Sequence, residues 1–273
     1  MRALWLFACL LSCGVVAAVA AEDARVWQER QAWTLIFEEA GVSGCALVYD
    51  ESRDSWVVFD RTRVQRAYTP ASTFKLFNAL TALESAAIKD EFEVIRWDGK
   101  SRDIASWNRD HSLASGMRFS VVWFYQEIAR RIGVQTMQHW IDRVGYGNRD
   151  IGGGIDRFWL DGGALRISAM QQIEFLRRLA DGSLPFSAPV QDTVRRISLV
   201  EDGPGYSLHA KTGWARRGAL DGKTDLGWYV GWVERDARRW FFAVNIDMPV
   251  VTDAPKRAAI TRRLLVDIGA LDR

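Results

Sequence analysis

Cysteine and histidine are scarce in this chain, long apolar runs are confined to its first twenty residues, and neither sign of charge dominates. Only three cysteines occur, and two of them, Cys9 and Cys13, lie inside that apolar start. In a mature chain Cys45 would stand alone, in the strand-like stretch GCALVYD, as a small buried hydrophobe. A disulfide or cysteine–metal framework is therefore excluded. His111, His139 and His209 lack metal-ligand spacing, so no metal is expected. The formal net charge is +2, with basic and acidic residues interspersed, which gives no electrostatic footprint for nucleic acid. No segment beyond the first twenty residues is long and apolar enough to span a bilayer.

The start itself reads as an address. Arg2 precedes ALWLFACLLSCGVVAAVA, the next charge is Glu22, and Ala18-Val19-Ala20 stands before Ala21. A basic start, an apolar run and small residues at the end describe a cleaved secretory signal over residues 1–20. An uncleaved anchor, or lipoprotein processing at LLSC, are the alternatives. The expected location is the periplasm, with no stable membrane insertion after cleavage.

No internal repeat or low-complexity linker divides the remainder, so residues 21–273 are expected to form one domain. Residues 23–40 read as an amphipathic helix stopped at Gly41. CALVYD and SWVVFD read as a hairpin turned at Ser52-Arg53-Asp54. YSLHAKTGW, LGWYVGWVE and RWFFAVNIDM read as three more strands, and APKRAAITRRLLVDIGAL as a closing helix. Between them lie helices over residues 70–85, SVVWFYQEIARRIG, TMQHWIDRVG, SAMQQIEFLRRLADG (with Ser168 and Gln171 at capping-box spacing) and APVQDTVRRISLV. The fold class is α+β: an antiparallel sheet lobe (about 21–69 and 201–273), flanked by the terminal helices, and a helical lobe (about 70–200), with a cleft between them.

One short stretch carries chemistry. In TPASTFKLFNAL, Ser72 and Lys75 stand at i and i+3 and so share a helix face. They fall in a first turn, where unpaired backbone N–H groups favour an anion. A serine hydroxyl needs an adjacent base to act as a nucleophile. A lysine serves only if its pKa falls, and apolar neighbours such as Phe74 and Leu76 push it down. A capping serine beside a snorkelling lysine is the alternative for this pair alone. Further along, AKTGW places Lys211, Thr212 and Gly213 in an expected strand. There backbone groups can meet an extended acyl-amide, the lysine and threonine can bind a carboxylate, and glycine permits close approach.

Five ordered motifs, STFK, SVV, YGN, FWLDGG and KTGW, resemble the class D serine β-lactamases (oxacillinases), a branch of the penicillin-recognising serine enzymes that combine S-x-x-K with K-T-G. The framing AYTPASTFK, WNRDHSLASGMRFSVVWFYQEIARRIG and GWYVGWVE extends the likeness from about Trp27 to the last helix. The resemblance implies the serine β-lactamase and penicillin-binding transpeptidase-like fold, and β-lactam hydrolysis that confers resistance. It implies Ser72 as nucleophile and Lys75 as an N-carboxylated lysine formed with carbon dioxide or bicarbonate, with no other cofactor. The carbamate would be lined by Phe74, Val122 and Leu160, would accept a hydrogen bond from the Trp159 indole, and would serve as base for acylation and deacylation. Backbone N–H groups of Ser72 and Trp214 would hold the oxyanion. Ser120, with Lys211, would return a proton to the leaving nitrogen. Lys211, Thr212 and Arg257 would bind the substrate carboxylate, and Trp107 would wall the pocket. Tyr146 and Asn148 would mainly hold the cleft loop together. The segment from Trp214 to Leu226 is long for a loop that shapes substrate range in related enzymes. The partner is a small β-lactam; the protein itself is expected to be a monomer or homodimer.

Two other classes share acylation at Ser72. A penicillin sensor domain would stop at the acyl-enzyme, and a cell-wall transpeptidase or carboxypeptidase would turn over D-Ala-D-Ala.

Overall fold

The computed structural model describes residues 27–218 and 222–272. The signal and the Cys9 and Cys13 assignments lie outside them. In chain order the first elements are β1 (Trp27–Glu29), α1 (Trp33–Ala40), β2 (Gly44–Asp50), β3 (Ser55–Phe59) and α2 (Arg61–Gln65). A 3-10 turn, Ala71–Phe74, leads into α3 (Lys75–Glu84). A short ribbon, β4 (Val94–Ile95) with β5 (His111–Ser112), precedes α4 (Leu113–Arg118), α5 (Val122–Ile132), α6 (Val134–Val144), α7 (Ala169–Ala180) and α8 (Ala188–Ser198). The chain closes with β6 (Leu199–Gly203), β7 (Tyr206–Ala215), β8 (Asp225–Arg235), β9 (Arg238–Met248) and α9 (Lys256–Asp267).

Seven strands form one sheet in the order β1-β3-β2-β9-β8-β7-β6. All its pairings are antiparallel except β1 with β3. Both faces are covered, which is why RWFFAVNIDM is apolar almost without a break. Along β9, Trp240, Phe242, Val244 and Ile246 turn to the face covered by α1 and α9, while Phe241 and Ala243 turn to the helical side. That period of two is the pleat of the strand.

Three expectations change. The helix expected over residues 23–40 begins only at Trp33, because Trp27, Gln28 and Glu29 instead pair with Trp56, Val57 and Val58. The helix expected through Val200 stops at Ser198, and Leu199–Gly203 bonds to β7 as an edge strand. Residues 70–85 are not one α-helix, because the first turn is the tighter 3-10 form. The hairpin turn expected at Ser52-Arg53-Asp54 falls in a 3-10 turn, Glu51–Arg53, capped by Asp54, and the capping box of Ser168 and Gln171 and the strands β7 to β9 stand where expected.

Helix α3 is the axis of the helical side. Every residue from Lys75 to Ala82 is buried, so it has no solvent stripe. Phe77 sits at the middle of an aromatic cluster, with ring centroids of Phe74, Tyr146, Phe175 and Phe186 at 5.3, 5.0, 6.2 and 6.1 Å. Truncating it removes that packing and opens a cavity. Phe77→Ala is therefore expected to lower unfolding stability by about 3–5 kcal/mol, seen as a lower urea midpoint with an unchanged slope.

Candidate active site

The loop before α3 is pinned before any chemistry is considered. Tyr68 exchanges backbone bonds with Ile167. The Trp228 indole of β8 donates to Thr69 O at 3.0 Å. Thr73 Oγ1 donates to Pro70 O at 2.8 Å and accepts from Gln172 Nε2 of α7, also at 2.8 Å. Ala71, just before the serine, is held at φ +49°, a left-handed conformation that a side chain rarely adopts. Such strain persists only where the surroundings over-determine it. The Thr73 amide is the first in the turn to find a backbone acceptor, Pro70 O. The preceding Ser72 N–H is one of the unpaired donors of a helix start.

The 3-10 turn has a direct consequence. Residues at i and i+3 eclipse in that geometry, which sets Ser72 and Lys75 side by side. The Lys75 Nζ donates to Ser72 Oγ at 2.5 Å and to Ser120 Oγ at 3.3 Å, over the ring of Tyr125 at 5.5 Å. Lys75 has no exposed surface. Burial pushes its pKa well below the ordinary lysine value, and the nearby Lys211 adds to that. Ser120 follows α4, also left-handed at φ +54°. Its hydroxyl stands between two amines, because Lys211 Nζ lies at 3.0 Å on its other side. Lys211 also donates to Thr212 O at 3.2 Å and to Thr212 Oγ1 at 3.4 Å. Burial first, and then Arg257, lower its pKa to about 7.

Glycines bring the sheet to this cluster. A Cβ on Gly213 would stand 2.9 Å from Pro70 O and 3.1 Å from Thr73 Cγ2, so only glycine lets β7 lie against the nucleophile turn. A Cβ on Gly227, opposite Trp214 in β8, would stand 2.5 Å from Arg257 Cδ. Through the gap thus left, Arg257 donates to Gly213 O and, at 2.7 Å, to Ala254 O. Its guanidinium lies 5.9 Å from the Trp214 ring centroid, and burial lowers its pKa only to about 10, so it remains charged at neutral pH.

The remaining expected residues are joined at one remove. Trp159 is fully buried and stacks on Phe74 at 5.2 Å, and its indole Nε1 has no hydrogen-bond partner among the described residues. Leu160 follows it, half-buried on the same core. Val122 opens α5, two residues after Ser120, and is also half-buried. Trp107 donates to Phe119 O at 2.9 Å, so it braces the turn that presents Ser120. Asn148 spans the cleft loop, donating to Ala164 O at 2.9 Å and accepting from the Arg166 amide at 2.9 Å. Tyr146 packs edge-on against Phe74.

The sequence reading passed over Gln172, Tyr125, Trp228 and Gly227. No local motif marks the first three; the glycine in GWYVGWVE was visible, but its clearance for Arg257 was not. Among the described residues no group of three or more His, Cys, Asp or Glu side chains is placed to hold a metal ion.

The penicillin-binding-protein transpeptidase domain matches residues 39–266 of this chain. The chain is 43% identical to β-lactamase OXA-48 of Klebsiella pneumoniae over 265 residues, 97% of each protein. It superposes on the class D β-lactamase YbXI from Nostoc with a TM-score of 0.84 at 41% identity, covering 88% of this chain and 99% of that one. Against FUS-1 (OXA-85), a class D β-lactamase from Fusobacterium nucleatum subsp. polymorphum, the TM-score is 0.85 at 35% identity, covering 90% and 100%.

The two depressed lysines make stability depend on pH. Above its pKa of about 7 Lys211 is largely unprotonated in the folded chain, Lys75 is shifted in the same direction, and the unfolded chain still protonates both. The unfolded state then binds more protons, so stability rises with pH. Beyond the ordinary thiol and phenol range the trend reverses, because Cys45, Tyr49 and Tyr229 have raised pKa values and keep protons that the unfolded chain loses. In carbon-dioxide-free buffer the urea midpoint is expected to rise from pH 7 to about pH 8.5. Lys211→Met should flatten that rise, and an unchanged slope in the variant would refute the assignment.

Proposed function

The chain belongs to the class D serine β-lactamases, and we propose that it opens the β-lactam amide of penicillin-type antibiotics through an acyl-enzyme on Ser72, with an N-carboxylated Lys75 as the general base. The observation that carries this reading is the contact of the Ser72 hydroxyl with a wholly buried amine whose pKa is pushed far down. An unprotonated amine is the form that reacts with carbon dioxide, and a charged one in that position would be costly. The orphaned indole N–H of Trp159, stacked on Phe74 beside the lysine, fits a donor waiting for an acceptor. Trp159 Nε1 and Ser72 Oγ would hold the carbamate, which would supply a carboxylate-like base where lysine alone offers an amine.

The chain's own residues account for the remaining work. Ser72 attacks the lactam carbonyl once its proton is taken. The unpaired Ser72 amide, with the amide of Trp214 in β7, would receive the developing oxyanion. Ser120 lies within hydrogen-bond reach of Lys211, whose pKa of about 7 lets it hold or release a proton near neutrality. Ser120, in reach of Lys75 as well as Lys211, can relay the proton that Ser72 gave up to the departing nitrogen. Lys211, Thr212 and the charged Arg257 would bind the substrate carboxylate beside β7, with Val122, Leu160 and Trp107 as apolar walls.

We further propose that the enzyme acts in the periplasm after cleavage of residues 1–20 and confers β-lactam resistance there. No helix among the described residues is long and apolar enough to cross a membrane.

Penicillin hydrolysis should persist over many turnovers and rise when bicarbonate is restored to carbon-dioxide-free buffer. A single stoichiometric burst that bicarbonate does not extend would instead support a sensor or transpeptidase. Ser72→Ala should abolish covalent labelling by penicillin; a label on another serine would overturn the nucleophile. Trp159→Ala should slow deacylation and demand more bicarbonate. Full activity of that variant without bicarbonate would remove the indole from the scheme.

A further inference from the structure

The site described so far offers its cations on the sheet side, at Lys211 and Arg257. A second pair stands on the residue before Ser120 in the chain. The ring of Phe119, the residue before Ser120, is half-buried. It carries two guanidinium groups, Arg109 at 4.6 Å and Arg118 at 5.8 Å from its centroid. Both arginines are exposed, and neither has an ion-pair partner among the described residues. The adjacent Asp110 directs its carboxylate to the Trp97 amide at 2.8 Å, not to Arg109. By contrast, Arg102, which lies over Trp123, is paired with Asp98 at 2.9 Å.

Two unneutralised cations on one ring repel each other and are held there by the ring's negative face. Arg118 closes α4, where a cation meets the carboxyl end of the helix. That accounts for Arg118 but not for Arg109, which comes from a separate loop. The ring is also fixed in place. The Trp107 indole holds Phe119 O, and Trp107 O in turn accepts from Trp123 Nε1 at 2.8 Å. Consecutive Cα atoms are about 3.8 Å apart, and Ser120 Oγ touches Lys211 Nζ. The arginine pair is thus joined to the Ser120–Lys211 contact through the Phe119–Ser120 dipeptide.

We propose that Arg109 and Arg118 form a cationic rim that receives a second anionic group on the substrate, and that the enzyme favours β-lactams whose acyl side chain carries a carboxylate or sulfonate. The proposal rests on the β-lactamase reading above and adds the substrate class. A dianionic substrate would meet Lys211 and Arg257 with its ring carboxylate and the rim with its side-chain anion. Exposed charges act mainly by steering and weak pairing, so the gain falls on kcat/KM and weakens with salt.

The test compares α-carboxybenzylpenicillin with benzylpenicillin, which differ only in the side-chain carboxylate. In the unmodified protein, raising ionic strength should lower kcat/KM more for the carboxylated substrate. In R109Q/R118Q that excess salt dependence should vanish, and the kcat/KM ratio of carboxylated to plain substrate should fall about three- to tenfold. Equal salt slopes for the two substrates in the unmodified protein would overturn the rim, whatever the variant does. So would a variant that loses both activities in proportion. Benzylpenicillin turnover reports separately on the Ser72 reading, since it does not need the rim.

Discussion

Everything at the site follows from holding an amine where an ammonium cannot be. Lys75 is the first residue of a helix buried on all sides, so its side chain has no route to water. A desolvated charge without a counter-ion is among the costliest things a fold can contain, and no carboxylate meets Lys75 Nζ among the described residues. Its partners are two hydroxyls, Ser72 and Ser120, and the face of Tyr125. Burial without a counter-ion therefore favours the neutral form of Lys75. A neutral amine is a hydrogen-bond acceptor as well as a donor, and it is the form that the base proposed for Ser72 requires.

Lys211 tightens the constraint. It approaches from the sheet and shares Ser120 with Lys75. Two ammonium groups on one hydroxyl would repel strongly in so dry a place, so protonation of either disfavours the other. Arg257 behind Gly213 adds a charge that does not leave. The three groups are ordered: Arg257, charged at neutral pH, behind Gly213; Lys211, with a pKa of about 7, in the middle; and Lys75, its pKa lowered well below the ordinary lysine value, beside Ser72. The two strained residues stand where that order needs help. Ala71 turns the chain into the 3-10 step that eclipses Ser72 with Lys75, and Ser120 turns its hydroxyl between the amines.

The candidate site was legible in the sequence to the extent that it depends on neighbours along the chain. The pair at i and i+3, the apolar flanks of Lys75 and the ordered motifs were all local signals. The strands were legible too, because β7 to β9 are long, aromatic and β-branched, with little polar interruption. What escaped depends on contacts between distant segments. Nothing local in WQE distinguishes a short parallel edge from a helix start; pairing with Trp56 decides it. Leu199 and Val200 continue an apolar pattern that a helix could use, but β7 offers them a ladder. Gln172 reads as one more polar residue on α7 until its side chain is seen on Thr73, 99 positions away.

Trp159 is one of several buried indoles whose N–H lacks an acceptor among the described residues. A buried N–H without an acceptor costs about 1–3 kcal/mol, but Trp159 is not alone, since Trp27 Nε1 and Trp240 Nε1 are also unpartnered. An orphan by itself therefore says little. What separates Trp159 is its setting. It stacks on Phe74, which immediately precedes the buried amine, whereas Trp240 faces the α1 and α9 side of the sheet. A buried amine whose pKa is lowered, and an idle donor stacked on the residue before it in the chain, would be complementary to the carbamate proposed above. A carboxylate-like group in that place would accept from the orphan and offer Ser72 an anionic base.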